Sequence, residues 1–269
     1  MSHPQTRVES HRAVWLGSSV LLAFLILPLA ALLVAVPPRE LFAHMASPLA
    51  TQALWLTIRT TLLATLLCVL LGTPLAYLLA RVPFRGRDVV DTLVDLPITI
   101  PPVVCGVALL LAFGRRGLLG QHLDLWGVQI AFTSVAVVLA QLFIASPFFV
   151  KAARSGFESV DPRLEAAART LGASRLRVFL SVTVPLARPA LLSGMLLAWA
   201  RALSEFGATM MFAGNFPGRT QTMPLAIYLA NEINPDEAIV LSLVLIAVSF
   251  GVLVALRDRY LAGGNTRTE

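Results

Sequence analysis

The feature that most constrains this chain is a series of long apolar runs without charged residues. Residues 13–36, 60–80, 96–113, 130–150 and 238–256 contain no Asp, Glu, Lys or Arg. A helix needs about 20 apolar residues to cross a bilayer, and these runs are close to that length. A sixth run, 184–206, is more amphipathic because it carries Arg188, Arg201 and Glu205. The sequence therefore predicts an all-α polytopic membrane protein with about six transmembrane helices, the first of which is too long to be the core of a signal peptide.

Composition supports a membrane protein and argues against several other classes. Hydrophobic residues make up 57% of the chain and charged residues 13%, and the mean hydropathy is +0.78. Cys68 and Cys105 both lie in apolar runs, which gives no support for a disulfide framework. The four histidines are scattered without metal-ligand spacing. We expect no metal site and no bound cofactor in this chain. We attribute the net charge of +6 to basic residues that determine the orientation in the membrane, rather than to nucleic-acid binding.

The distribution of Lys and Arg predicts the orientation. With six spans, fifteen of these residues fall on the side of the termini and four on the opposite side. Because cytoplasmic loops carry an excess of Lys and Arg, we expect both termini in the cytoplasm of a multi-pass protein of the cell (inner) membrane. The predicted organisation is residues 1–50 as a cytoplasmic N-terminus and first helix, 51–257 as the transmembrane domain, and 258–269 as a cytoplasmic tail. A cytoplasmic loop spans 151–184, and 207–237 forms the longest outer segment, in which MPLAIYLANE resembles a short helix.

The cytoplasmic loop contains a short helix with clear end signals. Asp161 can cap it and Pro162 suits its first position. Gly172 suits the left-handed conformation that ends a helix. The helix carries a narrow apolar stripe, which consists of Leu164, Ala168 and Leu171, and a predicted surface pair between Glu165 and Arg169. A second helix, capped by Ser174, is expected to run until Thr183 and Pro185 begin the next span.

Two interpretations of this loop remain open. Its arginines could meet anionic lipid head groups. Alternatively, the helix fits the groove of another protein, because Ala166, Ala167 and Ala168 permit close approach and Gly172 fixes the angle between two helices.

The loop also resembles the Glu-Ala-Ala motif of ABC importer permeases. Ala167 and Ala168 are followed by three residues, Gly172, nine residues and a V-x-V-P ending at Pro185. One departure is that Ala166 occupies the usual glutamate position, and Glu165 lies one place earlier. The resemblance implies a coupling helix that docks on an ATP-hydrolysing subunit. With the glutamate displaced, we expect Gly172→Val to damage coupling more than Glu165→Ala.

This chain has no sequence element for hydrolysing ATP itself. A phosphate-binding loop needs a lysine after a glycine-rich turn, and Lys151, the one lysine in the sequence, follows SPFFV. We therefore expect a non-enzymatic transport subunit, with ATP and Mg²⁺ bound by a partner ATPase.

Two further segments are candidates for the translocation path or gate. Prolines at 97, 101 and 102 should break the third span, and irregular backbone at membrane depth persists where it is buried in protein or lines a cavity. In the fifth span, Arg201 and Glu205 are four residues apart, and we weigh a structural ion pair against an outer gate. The candidate residues are Pro97, Pro101, Pro102, Gly106, Arg201, Glu205 and Thr209. A gate predicts that Glu205→Ala lowers transport but leaves assembly with the ATPase intact.

Segments 96–120 and 200–230 are similar to the molybdate permease subunits of oxyanion ABC importers. This likeness implies a type I importer domain, a homodimer with a second permease copy, two cytoplasmic ATPases and an extracytoplasmic oxyanion-binding protein. The permease itself is expected to contact membrane lipid. The alternatives are a sulfate, thiosulfate or tungstate permease of the same class. An ion-coupled secondary transporter is a further alternative, although acidic residues near the midplane and an inverted repeat are not evident. An intramembrane enzyme would need histidine or metal motifs within the spans, and no histidine lies there.

Overall fold

The structure is a computed structural model that describes residues 5–35 and 47–261, with side-chain surroundings over 15, 17–35 and 47–255. These residues form helices and connecting turns. In chain order the helices are α1 Gln5–Ala35, α2 Pro48–Arg81, α3 Arg87–Thr99, α4 Pro102–Phe113, α5 Gly120–Asp124, α6 Ser134–Ser159, α7 Pro162–Thr170, α8 Arg175–Val178, a π-helical turn Phe179–Thr183, α9 Val184–Leu203, α10 Gly207–Ala213, α11 Met223–Ile233 and α12 Pro235–Leu261.

The described helices confirm an all-α membrane protein. Five of them are long and apolar enough to cross a bilayer, and α3 with α4 makes a sixth candidate if the bent pair is counted as one span. This agrees with the prediction of about six. Residues 1–4, 36–46 and 262–269, which belong to the predicted N-terminal segment and tail, lie outside the described residues.

The centre of the bundle is formed by α2, α6 and α9. Phe149 and Phe157 of α6 are fully buried there. The contact between α6 and α9 needs a small residue: a methyl group on Gly156 would lie 2.5 Å from the Cβ of Ala190 on α9. Such close approach lets two membrane helices gain packing energy where no hydrophobic effect drives them together. By contrast, α1 is exposed along its described span and contacts α12 at the edge of the bundle.

The predicted third span is broken, as its prolines indicate. Helix α3 ends at Thr99 and α4 begins at Pro102, with an angle of 117° between them. Pro101 lacks an N–H group and its neighbour Ile100 is extended, so the helical hydrogen bonds cannot continue. Twelve residues of α4 measure roughly 18 Å, which is less than the bilayer core.

The prediction of a separate second helix ending at Pro185 is wrong. Residues Arg175–Leu203 form one continuous 29-residue helix. The π-helical turn Phe179–Thr183 precedes Pro185, and its wider turn accommodates a proline ring that would clash with the carbonyl four residues before it. Helix α8 is therefore the direct extension of the α9 span, and a displacement of α8 acts on α9 itself.

The segment 207–237, predicted to be the longest outer segment, contains the helices α10 and α11. Helix α10 packs against α4 and α6, and its residues Ala208, Thr209 and Phe212 are fully buried. Small residues at its start, Gly207 and Ala208, allow close contact with neighbouring helices. The short helix predicted from MPLAIYLANE is confirmed as α11.

Candidate functional site

Helix α7 has the end structure that its sequence indicates. The Asp161 carboxylate accepts a hydrogen bond from the Arg163 N–H at 2.8 Å, and Pro162 is the first helical residue. Gly172 follows the helix with a φ of +87°, a conformation that favours glycine. The Ser174 hydroxyl then accepts the Arg177 N–H and begins α8. The predicted pair of helices with a glycine between them is present.

The apolar stripe of α7 is turned outward. The exposed fraction is 49% for Leu164 and 89% for Leu171, while Ala168 between them is partly buried. Ala166 and Ala167 are also exposed. An apolar helix face that the chain itself leaves uncovered is typical of a surface that binds a partner.

Glu165 does not form the surface pair with Arg169 that its spacing suggests. Its carboxylate is buried, lies 3.4 Å from the Arg81 guanidinium and accepts a 2.9 Å hydrogen bond from the Thr183 hydroxyl. The Arg81 guanidinium also donates to the Val160 carbonyl. The reason is position: Glu165 is on the face of α7 that rests against the end of α2. Arg169 donates to the Glu165 backbone carbonyl at 3.3 Å instead.

This network joins three helices at one point. Arg81 ends α2, Glu165 belongs to α7, and Thr183 lies in the π-helical turn before α9. A charged group that leaves water needs both an opposite charge and hydrogen bonds, and Glu165 has both. Ala166, in the usual glutamate position of the motif, is exposed and has no side chain to make such contacts. Glu165, one place before the usual glutamate position, thus holds α7 against α2 and the π-helical turn.

A belt of ion pairs attaches α3 to the C-terminal part of α6. Lys151 lies 2.8 Å from Asp95, and Arg154 pairs with both Asp91 and Glu158. Asp91 and Asp95 are four residues apart, so they share one face of α3. Sequence reasoning missed this belt, although the acidic spacing on α3 and the basic spacing on α6 could have indicated it.

The second candidate region brings the broken third span against α10. A methyl group on Gly106 of α4 would lie 2.7 Å from the Ala208 carbonyl oxygen, so the two helices touch at this glycine. A methyl group on Gly207 would lie 3.1 Å from the Cβ of Pro102. Thr209 is fully buried, and its hydroxyl has no hydrogen-bond partner among the described atoms. The two segments predicted separately as path or gate therefore meet, whereas Pro97 is buried in the last turn of α3.

Arg201, in the last turn of α9, forms an ion pair with Glu205, which lies in the turn after that helix. Arg201 Nη2 lies 2.8 Å from Glu205 Oε2, and the other carboxylate oxygen accepts the Ala208 N–H at 2.7 Å. The Glu205 side chain is 1% exposed and that of Arg201 is 24% exposed. Glu205 thus satisfies a free N–H group at the start of α10, where negative charge is favourable. This geometry gives the pair a structural task at the turn between α9 and α10; it leaves the gate role a prediction.

These features are those of a polytopic membrane protein that leaves an apolar helix face uncovered outside its candidate spans. Residues 72–264 match the model of the binding-protein-dependent transport system inner membrane component family, and the chain belongs to that family.

Relatives and solved structures agree with this assignment. The chain is 42% identical over 267 residues to the molybdenum transport system permease protein of Mycobacterium bovis, covering 98% of this chain and 100% of that one. It is 41% identical over 212 residues to the molybdenum transport system permease protein of Escherichia coli K12, covering 78% and 93%. A chain of a bacterial alginate ABC transporter, crystallised with an alginate pentasaccharide-bound periplasmic protein, has a TM-score of 0.75 at 17% identity, covering 93% of each chain. The fold is thus that of an ABC importer transmembrane domain.

Proposed function

We propose that this chain is the permease subunit of an ATP-driven ABC importer and forms the transmembrane path for molybdate. The substrate rests on the relatives, which are molybdenum transport permeases at 41–42% identity over most of the chain. The site's geometry supports a transport subunit that relies on a partner for energy. The observation that carries this proposal is the outward-facing Leu164–Leu171 stripe on an internally anchored helix.

The partner that covers this stripe is an ATPase subunit, which binds ATP and Mg²⁺. Two copies of the permease enclose the pathway, two ATPases dock on their α7 helices, and an extracytoplasmic binding protein delivers the oxyanion. Both termini lie in the cytoplasm, which places α7 and the ion-pair belt on the ATPase side. The family's dependence on binding proteins supports the last partner.

Motion of the ATPases reaches the bundle through two rigid connections. Helix α8 continues through the π-helical turn into α9. The Glu165 carboxylate holds α7 to both Arg81 of α2 and Thr183 of that turn. A displacement of α7 therefore moves the cytoplasmic ends of α2 and α9 together. This coupled movement switches the helix bundle between inward-open and outward-open states.

Uptake in cells tests the proposal. A bacterium that lacks its own molybdate permease receives this chain with its cognate ATPase and binding protein, and molybdate accumulation is measured against competing tungstate, sulfate and thiosulfate. We expect accumulation that requires all three components and is inhibited strongly by tungstate and weakly by sulfate. Preferential uptake of sulfate would refute the substrate, and uptake without the ATPase would refute the transporter class.

A further inference from the structure

A cavity of about 820 Å³ lies between the end of α2 and the α7–α8 segment. One part of its wall is apolar and the other carries charge. The apolar part includes Pro74, Leu78, Leu176 and Phe179, and the charged part consists of Arg81, Glu165, Arg169 and Arg175. A hydrophobic recess with a cationic rim suits an amphiphile that has a negative head group.

The charges on this rim do not cancel. Glu165 is engaged by Arg81 and Thr183, so its negative charge is already balanced. Arg169 uses its Nε–H on a backbone carbonyl, and neither Arg169 nor Arg175 forms an ion pair with any side chain that the structure describes. Two guanidinium groups therefore face the recess without a counter-ion among the residues that the structure describes.

The depth of the cavity matches the edge of a bilayer. Pro74 and Arg81 are seven residues apart on α2, which corresponds to roughly 10 Å along the helix. The uncharged run 60–80 is long enough to cross the bilayer core and ends before Arg81, which puts Arg81 at head-group level and the Pro74–Leu78 wall at acyl-chain level. The partner-binding stripe is on a different face of α7, because Leu164 and Leu171 do not line the cavity. Occupation of the cavity and docking of a partner are thus compatible.

We propose that this cavity binds an anionic phospholipid, with its phosphate on Arg169 and Arg175 and an acyl chain against Pro74 and Leu78. Arginine binds phosphate oxygens through two parallel donors, so these two arginines make a more specific phosphate site than a diffuse positive surface would. An inorganic anion would use the arginines alone and leave the apolar wall uncovered. The assignment to the cytoplasmic leaflet rests on the proposed orientation; the lipid site itself does not depend on the transported substrate.

The test measures lipid binding to the purified complete complex by native mass spectrometry. Phosphatidylglycerol and phosphatidylcholine with identical acyl chains are the two probes, and inorganic phosphate is a competitor. The variant Arg169→Gln/Arg175→Gln removes the rim charges. Its matched control, Arg163→Gln/Arg177→Gln, removes two exposed arginines of the same loop that do not line the cavity.

We expect a preference for phosphatidylglycerol that falls by about 25-fold in the rim variant, since one arginine near an anionic membrane surface contributes roughly five-fold. The control variant should change it by less than about two-fold. An equal loss in the control would show a diffuse surface attraction and overturn the proposal. Equal retention of both lipids, or full displacement of phosphatidylglycerol by millimolar phosphate, would also overturn it. Because no uptake is measured, these outcomes are separate from those that test molybdate transport.

Discussion

Replacement of Glu165 by alanine should release α7 from the bundle. The side chains of Glu165 and Arg81 are 10% and 15% exposed, so the pair is largely withdrawn from water. Removing one partner of a buried pair costs about 3–5 kcal/mol, because the other charge remains buried without compensation. Arg81 keeps its hydrogen bond to Val160 and some contact with solvent, which places the loss near the lower end, about 3 kcal/mol.

Hydrogen exchange of the α7 amides measures this loss directly in the full-length permease. A change of about 3 kcal/mol in local opening corresponds to an exchange rate about 150-fold faster over residues 163–171. Arg163→Ala is the matched control, because that side chain is on the same helix, is exposed and forms no ion pair among the described residues. Glu165→Gln should give an intermediate rate, since its amide oxygen still accepts from Thr183.

Unchanged protection of α7 in Glu165→Ala would refute this reasoning, as would an equal effect of Arg163→Ala.

The free-energy costs also reverse the order that the motif led us to expect for the effects of Gly172→Val and Glu165→Ala on coupling. Gly172→Val forces a branched residue to φ near +87°, which costs roughly 1–3 kcal/mol, and nothing lies within 4 Å of the added Cβ. We therefore now expect Glu165→Ala to impair coupled transport at least as much as Gly172→Val.

Three further substitutions test the remaining parts of the site. Leu171→Asp should abolish co-purification with the ATPase and leave the thermal stability of the permease unchanged, because this side chain is 89% exposed; a normal yield of complex would exclude the stripe as the docking surface. Gly106→Val should destabilise the bundle by about 1–3 kcal/mol, since its Cβ would lie 2.7 Å from the Ala208 carbonyl, and an unchanged melting temperature in detergent would contradict this packing. Glu205→Ala should lower the melting temperature as well as transport, because Arg201 and the Ala208 N–H lose their buried partner. Full stability with lost transport would instead favour the gate.

Most of the helical architecture was predictable because it depends on local signals. Uncharged runs of the right length identify the spans, and Asp161, Pro162 and Gly172 define α7 through their own backbone preferences. The break of the third span follows from Pro101, which cannot donate a backbone hydrogen bond. In each case the information lies within a few residues of the feature that it determines.

Most of the parts that were missed depend on residues distant in sequence. Glu165 has a perfect local partner in Arg169, and only the fold brings Arg81 close enough to compete. Similarly, helix α10 was not predicted, because its small residues pack against α4, which is distant in sequence. Pro185 suggested a new helix start, but the π-helical turn keeps the helix continuous, and no local rule distinguishes these outcomes.

Uptake by proteoliposomes tests the central claim most directly. The purified permease, its ATPase and the binding protein are reconstituted, and accumulation of labelled molybdate is followed with ATP, without ATP, and with an imposed proton or sodium gradient. We predict accumulation that requires ATP and the binding protein and is lost in Leu171→Asp. Accumulation driven by an ion gradient in the absence of ATP, or retained in Leu171→Asp, would contradict an ATP-driven importer coupled through α7.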